Sequence, residues 1–236
     1  MMTFTRNFSL ISFGMAMFAG SVASSHAAIL ARYEFTGSSL ASTDDDTSNI
    51  TSTASNLSNG AGLTSINSAT GNPAPGRSML GSETDANDET GAVTANDYIQ
   101  FTLTPASGYQ LNLTNFSLDF GSSYNTQPRG FAVRSSLDGF TGTIYNLSLP
   151  SNSDSTSTVF NYSTALVGAQ YQNVTTPVTF RIYGFDNATG TTNYLRFDNI
   201  TLQGTVGAIP EPSGMLFLGA TVFPLLLTRK RRKGCC

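Results

Sequence analysis

Leu195-Arg196-Phe197-Asp198-Asn199-Ile200-Thr201-Leu202 reads as a β-strand with a fault in its middle. Leu195 and Phe197 are spaced as inward residues of a half-buried strand, and Ile200 and Leu202 repeat that spacing. The two pairs are out of phase, because strict alternation cannot put both Phe197 and Ile200 inside. A bulge at Asp198-Asn199 restores both to the core and re-aims the Asp198 side chain. An interrupted strand of this kind belongs to an antiparallel sheet with one face buried.

The rest of the central chain has the same character. Short alternating runs occur at 29–35, 98–103, 111–120, 130–135, 143–149, 158–162, 178–183 and 194–206, with Gly, Pro, Asn and Asp between them. No long helical stripe interrupts them. Eight to ten strands in this length predict an all-β fold, an antiparallel two-sheet sandwich of jelly-roll type, over residues 28–207. Irregular insertions are expected at Ser42–Ser58 and Gly71–Ala95.

Charge and residue type exclude several functions. Residues 28–207 hold six Arg, no Lys and fourteen Asp or Glu, a formal charge of −8. Such a surface repels phosphate backbones, so nucleic acid is not an expected partner. The single histidine, His26, and both cysteines, Cys235 and Cys236, lie outside this region. No Ser-His-Asp triad, Cys-His pair, Schiff-base lysine or His/Cys zinc site can be assembled within it. Carboxylate chemistry remains. Glu83, Asp85 and Asp88 superficially resemble the Glu-x-Asp-x-x-Glu of some jelly-roll glycosidases, but their flanks lack apolar alternation. We read them as a solvated acidic loop and expect no catalytic residues.

The two ends read as addresses. Residues 1–27 place Arg6 before a short apolar stretch and finish on Ser25-His26-Ala27, the pattern of a cleaved signal peptide. Residues 208–236 carry Pro210-Glu211-Pro212, an uncharged run over 213–228, and the cations Arg229, Lys230, Arg231, Arg232 and Lys233. As a helix, residues 212–228 would extend about 25 Å, the short end of a span across a bilayer core of about 30 Å. The cations then form a cytoplasmic stop. This order resembles the PEP-CTERM sorting signal of Gram-negative bacteria, a segment also labelled an ice-binding-protein C-terminal domain. The resemblance implies export through the inner membrane, transient membrane anchoring, and two processing partners, signal peptidase and an exosortase-type membrane protease. It also implies delivery to the cell surface or extracellular polymer matrix, the setting of biofilms. Gly234-Cys235-Cys236 departs from the family, which ends soon after its basic cluster. Thr residues show no fixed period, so ice binding itself gains no support. The strand LRFDNI is also similar to those closing secreted jelly-roll domains, carbohydrate-binding modules among them.

A structural or adhesive role, without enzymatic activity or a required cofactor, follows as the first expectation. The alternative is a carbohydrate-binding module for matrix polysaccharide, with Tyr124 as a stacking platform and Arg129 beside it. Tyr109, Tyr145 and Tyr171 are further platforms. A structural calcium is the one candidate metal, with hard oxygen ligands from Glu34 and Asp198 on the first and last strands or from the clusters Asp44–Asp46 and Asp85/Asp88/Glu89. Neither cluster has EF-hand spacing. Equally, Glu34 is placed to pair with Arg32 or Arg196.

Overall fold

The computed structural model describes residues 28–36, 39–43, 51–63, 66–68, 78–80, 86–122, 129–149, 159–186 and 195–210. The predicted signal peptide and membrane span fall outside these residues, as do Glu211 and Pro212 of the expected sorting motif and the basic cluster. Among the described residues no helix is long and apolar enough to cross a membrane.

Among the described residues, twelve strands form two antiparallel sheets packed face to face in a jelly-roll-like sandwich. They are β1 (Ala28–Tyr33), β2 (Ser52–Ala54), β3 (Ser58–Asn59), β4 (Ile66–Ser68), β5 (Ser78–Leu80), β6 (Tyr98–Pro105), β7 (Tyr109–Ser122), β8 (Arg129–Ser135), β9 (Tyr145–Leu149), β10 (Val159–Ala165), β11 (Val178–Phe185) and β12 (Leu195–Ala208). The first sheet runs β10-β7-β12-β5-β4, with β1 also on β12. The second runs β2-β6-β11-β8-β9, with β3 also on β6.

The register on β7 shifts between Asp198 and Thr201, and both Phe197 and Ile200 lie fully inside. Asn199, at φ 48°, supplies the left-handed residue that the expected bulge needs. The same feature divides the strand's far side. Before it, Leu195–Phe197 pair with β5; after it, Ile200 to Gly204 pair with β1. A second shift on β12, between Gln203 and Gly204, leaves Thr114 of β7 without a register partner. That shift puts Leu111 and Leu113 inside together with Phe116, Leu118 and Phe120, residues of opposite parity.

Aromatic rings fill the space between the sheets. Tyr33, Phe101, Phe180 and Phe116 form a chain with centroids 5.1, 5.6 and 5.7 Å apart. A second group surrounds Phe120, with Phe131 and Phe197 at 5.1 and 5.4 Å. Tyr162 and Tyr145 continue it toward the side of the sandwich where β9 and β10 lie. The cavity there holds about 10 Å³, at most one water.

Two segments expected to be irregular contain regular structure. Ser42–Ser58 includes β2 and the start of β3. Gly71–Ala95 includes β5 and a helix, α1 (Glu89–Ala95). At seven residues with a glycine and two threonines, α1 is too short to show a helical stripe. Its caps define it. Asp88 is extended and its Oδ1 accepts the Gly91 N–H at 2.8 Å, while Asn96 closes the far end at φ 64°. Ala92 is buried in a cluster with Ala132, Tyr183 and Phe185, so α1 lies on the outer face of the second sheet.

Candidate functional site

That outer face is built by alternation. On β6, Ile99, Phe101 and Leu103 point into the core, leaving Tyr98, Gln100 and Thr102 outside. On β11 the outward set is Thr179, Arg181 and Tyr183. Register aligns them into rows: Tyr98, Tyr183, Ala132 and Asn146 in one, Gln100, Arg181 and Arg134 in the next, Thr102 and Thr179 in the third. The two threonine hydroxyls hydrogen-bond at 2.8 Å.

Arg181 is the centre of the face. Its guanidinium lies 4.2 Å from the Tyr98 ring centroid and 3.9 Å from that of Phe140. Nε donates to Gln100 Oε1 at 3.0 Å, and Nη1 to the Tyr183 hydroxyl at 3.4 Å. Phe140 reaches this position from outside the sheet. After the 3-10 turn Ser136–Asp138, Gly139 and Phe140 are both left-handed, at φ 70° and 62°. A bulky residue there carries strain of about 1–3 kcal/mol, which surrounding contacts must hold. Its N–H donates to Ser135 O at 2.9 Å and its carbonyl accepts from Arg134 Nη1 at 3.0 Å.

Arg134 is fixed in turn by Glu89 of α1, donating to Oε1 from Nε at 2.8 Å and Nη2 at 2.6 Å. The Thr143 hydroxyl donates to the same oxygen, and Asn146 Nδ2 donates to Oε2 at 2.5 Å. Burial pushes the Glu89 carboxyl up, but hydrogen bonds from Thr143, Arg134 and Asn146, with the Arg134 charge, more than offset it. The carboxyl is held below its ordinary value of 4.5. One network thus joins α1, the turn before β9 and the sheet.

The described residues named for calcium have other contacts. Glu34 Oε1 contacts Arg32 at 2.8 Å. Asp198 is buried, and its Oδ1 accepts the Asn199 N–H at 2.8 Å. Asp88 caps α1 and Glu89 binds Arg134, while Asp44–Asp46 and Asp85 lie outside the described residues. Among the described residues, no group of three or more His, Cys, Asp or Glu is arranged to hold a metal ion. Of the expected sugar site, Tyr124 also lies outside them. Arg129 is not in an open loop: it opens β8 and is buried. Burial lowers its pKa, and the charge of buried Asp186 only partly offsets that. Tyr145 and Tyr171 pack into the core, and Tyr109 opens β7. Alternation in YIQFTL and VTFRIY marks Tyr98, Gln100 and Arg181 as outward residues of their own strands; the pairing of β6 with β11 brings them onto one face. Phe140, delivered by a turn, left no such signal.

No family model matches the chain, and neither does any curated protein. Solved structures similar to it include the CBM27-1 module of Caldicellulosiruptor saccharolyticus in complex with mannohexaose. That match has 12% identity and a TM-score of 0.41, covering 75% of this chain and 96% of that one. A non-crystalline-cellulose-specific module, CBM28, matches at 8% identity and TM-score 0.39, over 62% of this chain and 88% of its own. The family 11 module from Clostridium thermocellum, in complex with a β-1,3-1,4-mixed-linked tetrasaccharide, matches at 12% and 0.32, over 77% and 99%. Likenesses this low leave the site to be argued from its own residues.

Proposed function

We propose that this is an exported, non-enzymatic protein of the bacterial cell surface or extracellular matrix, whose sandwich adheres there by binding polysaccharide on the outer face of the second sheet. The observation that carries the reading is the chemistry of that face. Rings of Tyr98 and Phe140, a guanidinium, the amides of Gln100 and Asn146, and threonine hydroxyls stand together on a rigid sheet. Sugars are recognised by such combinations of flat apolar surface and fixed donors and acceptors. The described carboxylates on and around this face serve structure: Glu89 accepts four hydrogen bonds, and Asp88 caps α1. Acid-base cleavage of a glycoside needs a pair of carboxyls aimed at the substrate. The test is a glycan array with the mature protein. Binding that is lost in Gln100→Ala while the melting temperature holds supports the reading; a blank array refutes it.

Delivery rests on the C-terminal order of motif, apolar run and cations. In this reading signal peptidase removes residues 1–27, the 213–228 span holds the chain in the inner membrane, and an exosortase-type protease acts near Pro210-Glu211-Pro212. β12 stops at Ala208 and Pro210 is exposed, so the motif begins where the sandwich ends. Proline also disfavours helix in the residue before it, keeping the site extended. Intact mass of protein recovered from its host tests this. Replacement of Pro-Glu-Pro should abolish C-terminal trimming, and trimming that continues unchanged refutes the assignment.

A further inference from the structure

We infer that the polysaccharide recognised by this face carries carboxylates, and that Arg181 is the group that reads them. The inference rests on the polysaccharide reading above and narrows it to acidic, uronate-type chains.

The argument starts from how the guanidinium groups are used. In an acidic body each cation has many carboxylates to choose from. Arg32 takes Glu34 at 2.8 Å, Arg134 takes Glu89 at 2.6 Å, and Arg129 lies in the field of Asp186. Arg181 has no carboxylate partner among the described residues. Its contacts are two rings, one amide oxygen and one phenol, all uncharged. The rings hold the guanidinium plane without neutralising it, and Gln100 fixes its rotation through Nε. Of its five N–H donors, the contacts use Nε and one on Nη1, so one on Nη1 and both on Nη2 remain to be filled.

A planar, oriented guanidinium with free donors matches a carboxylate, which it can bind in a forked pair. Among the described residues, the carboxylates around this face are otherwise engaged: Arg134 neutralises Glu89, and Asp88 caps α1 through Oδ1. Asp138, in the turn below Phe140, commits Oδ2 to the Gly142 N–H at 2.8 Å. Next to Arg181 stand the groups a sugar ring would use: the Phe140 ring, the Gln100 amide, and the Thr102 and Thr179 hydroxyls. The strain in Phe140 is accounted for as well. The left-handed backbone is what lays its ring over the guanidinium.

The experiment compares two probes with one backbone, polygalacturonate and its fully methyl-esterified form, by affinity electrophoresis of the mature chain. The wild type should bind the acid form at least about tenfold more tightly. Arg181→Gln should remove that preference, leaving two equal, weak affinities. Arg181→Lys keeps a cation between the rings but loses the fork, so it should fold normally and show an intermediate preference. Should Arg181→Gln not fold, the Lys variant and NMR of the Arg181 Nε–H decide: the signal should move with trigalacturonate and stay fixed with its methyl ester. Equal wild-type binding to both polymers, or a preference surviving in both variants, overturns the inference while leaving polysaccharide binding standing. Binding to neither polymer, with neutral glycans retained on an array, overturns it too. A blank array in addition removes the broader reading.

Discussion

Replacing Glu89 with alanine tests whether α1 is fastened to the sandwich by one carboxylate. The change strips four hydrogen bonds from Arg134, Thr143 and Asn146 and leaves the Arg134 guanidinium, whose side chain is 17% exposed, without its ion partner. Hydrogen bonds to charged groups contribute about 1.5–3 kcal/mol each, but those sharing one carboxylate do not add, and partial exposure lowers the total. We expect a loss of about 2–3 kcal/mol by urea unfolding, a drop of roughly 5–10 °C in Tm for a domain of this size. The pair Arg32–Glu34, 34% exposed on each side, is the internal control, and Glu34→Ala should cost about 1 kcal/mol or less. Acid adds a second readout. Because the folded carboxyl titrates below 4.5, its stabilisation is complete above that value and is lost as pH falls through the lower folded one. The wild-type and Glu89→Ala stability curves should therefore keep a constant separation above pH 4.5 and converge as pH falls below it. Equal costs for the Glu89 and Glu34 variants, or parallel curves across that window, would refute the reasoning.

Three further outcomes are expected. Burial, assisted by Tyr145, pushes the Tyr162 hydroxyl up to about 12, so stability should be full below pH 10 and fall between 10 and 12, less steeply in Tyr162→Phe, when followed by circular dichroism. Asn199→Val forces a β-branched residue into φ 48° and removes the 2.7 Å hydrogen bond to Asp119, costing about 2–3 kcal/mol in urea midpoint terms, whereas Asn199→Gly should cost only about 1. At Gly130 a methyl group would meet the Leu147 carbonyl oxygen and lie 2.6 Å from the Phe185 ring; Gly130→Ala should cost about 3 kcal/mol or more and reduce soluble yield.

Period-2 alternation made the sheets legible, down to the bulge in LRFDNITL, because burial on one face leaves a mark at every second residue. Phase breaks carried information as well: Leu113 and Phe116 differ in parity for the same reason as Phe197 and Ile200. Elements that depend on a few local contacts left less. α1 buries one alanine and is set by Asp88 and Asn96, which in a segment rich in Asp, Asn and Thr read as loop. Arg129, between Pro128 and Gly130, reads as a turn residue, whereas it opens β8 opposite Leu149 of β9 and is buried. Tyr98, Gln100 and Arg181 lay in strands whose outward positions could be listed from sequence. Their convergence depends on β6 and β11 being neighbours 80 residues apart, and on Phe140 folding over them.

The position of β12 has a mechanical consequence. It lies inside its sheet between β7 and β1, and its last residues lead into the segment that carries Pro210-Glu211-Pro212. A pull applied beyond Ile209 is directed along the strand, across hydrogen bonds on both flanks. Loaded that way the bonds resist together, in shear, and cannot be peeled off one at a time. If the face on the second sheet holds a polymer while the C-terminus is tethered, β12 is the element that carries the tension between them.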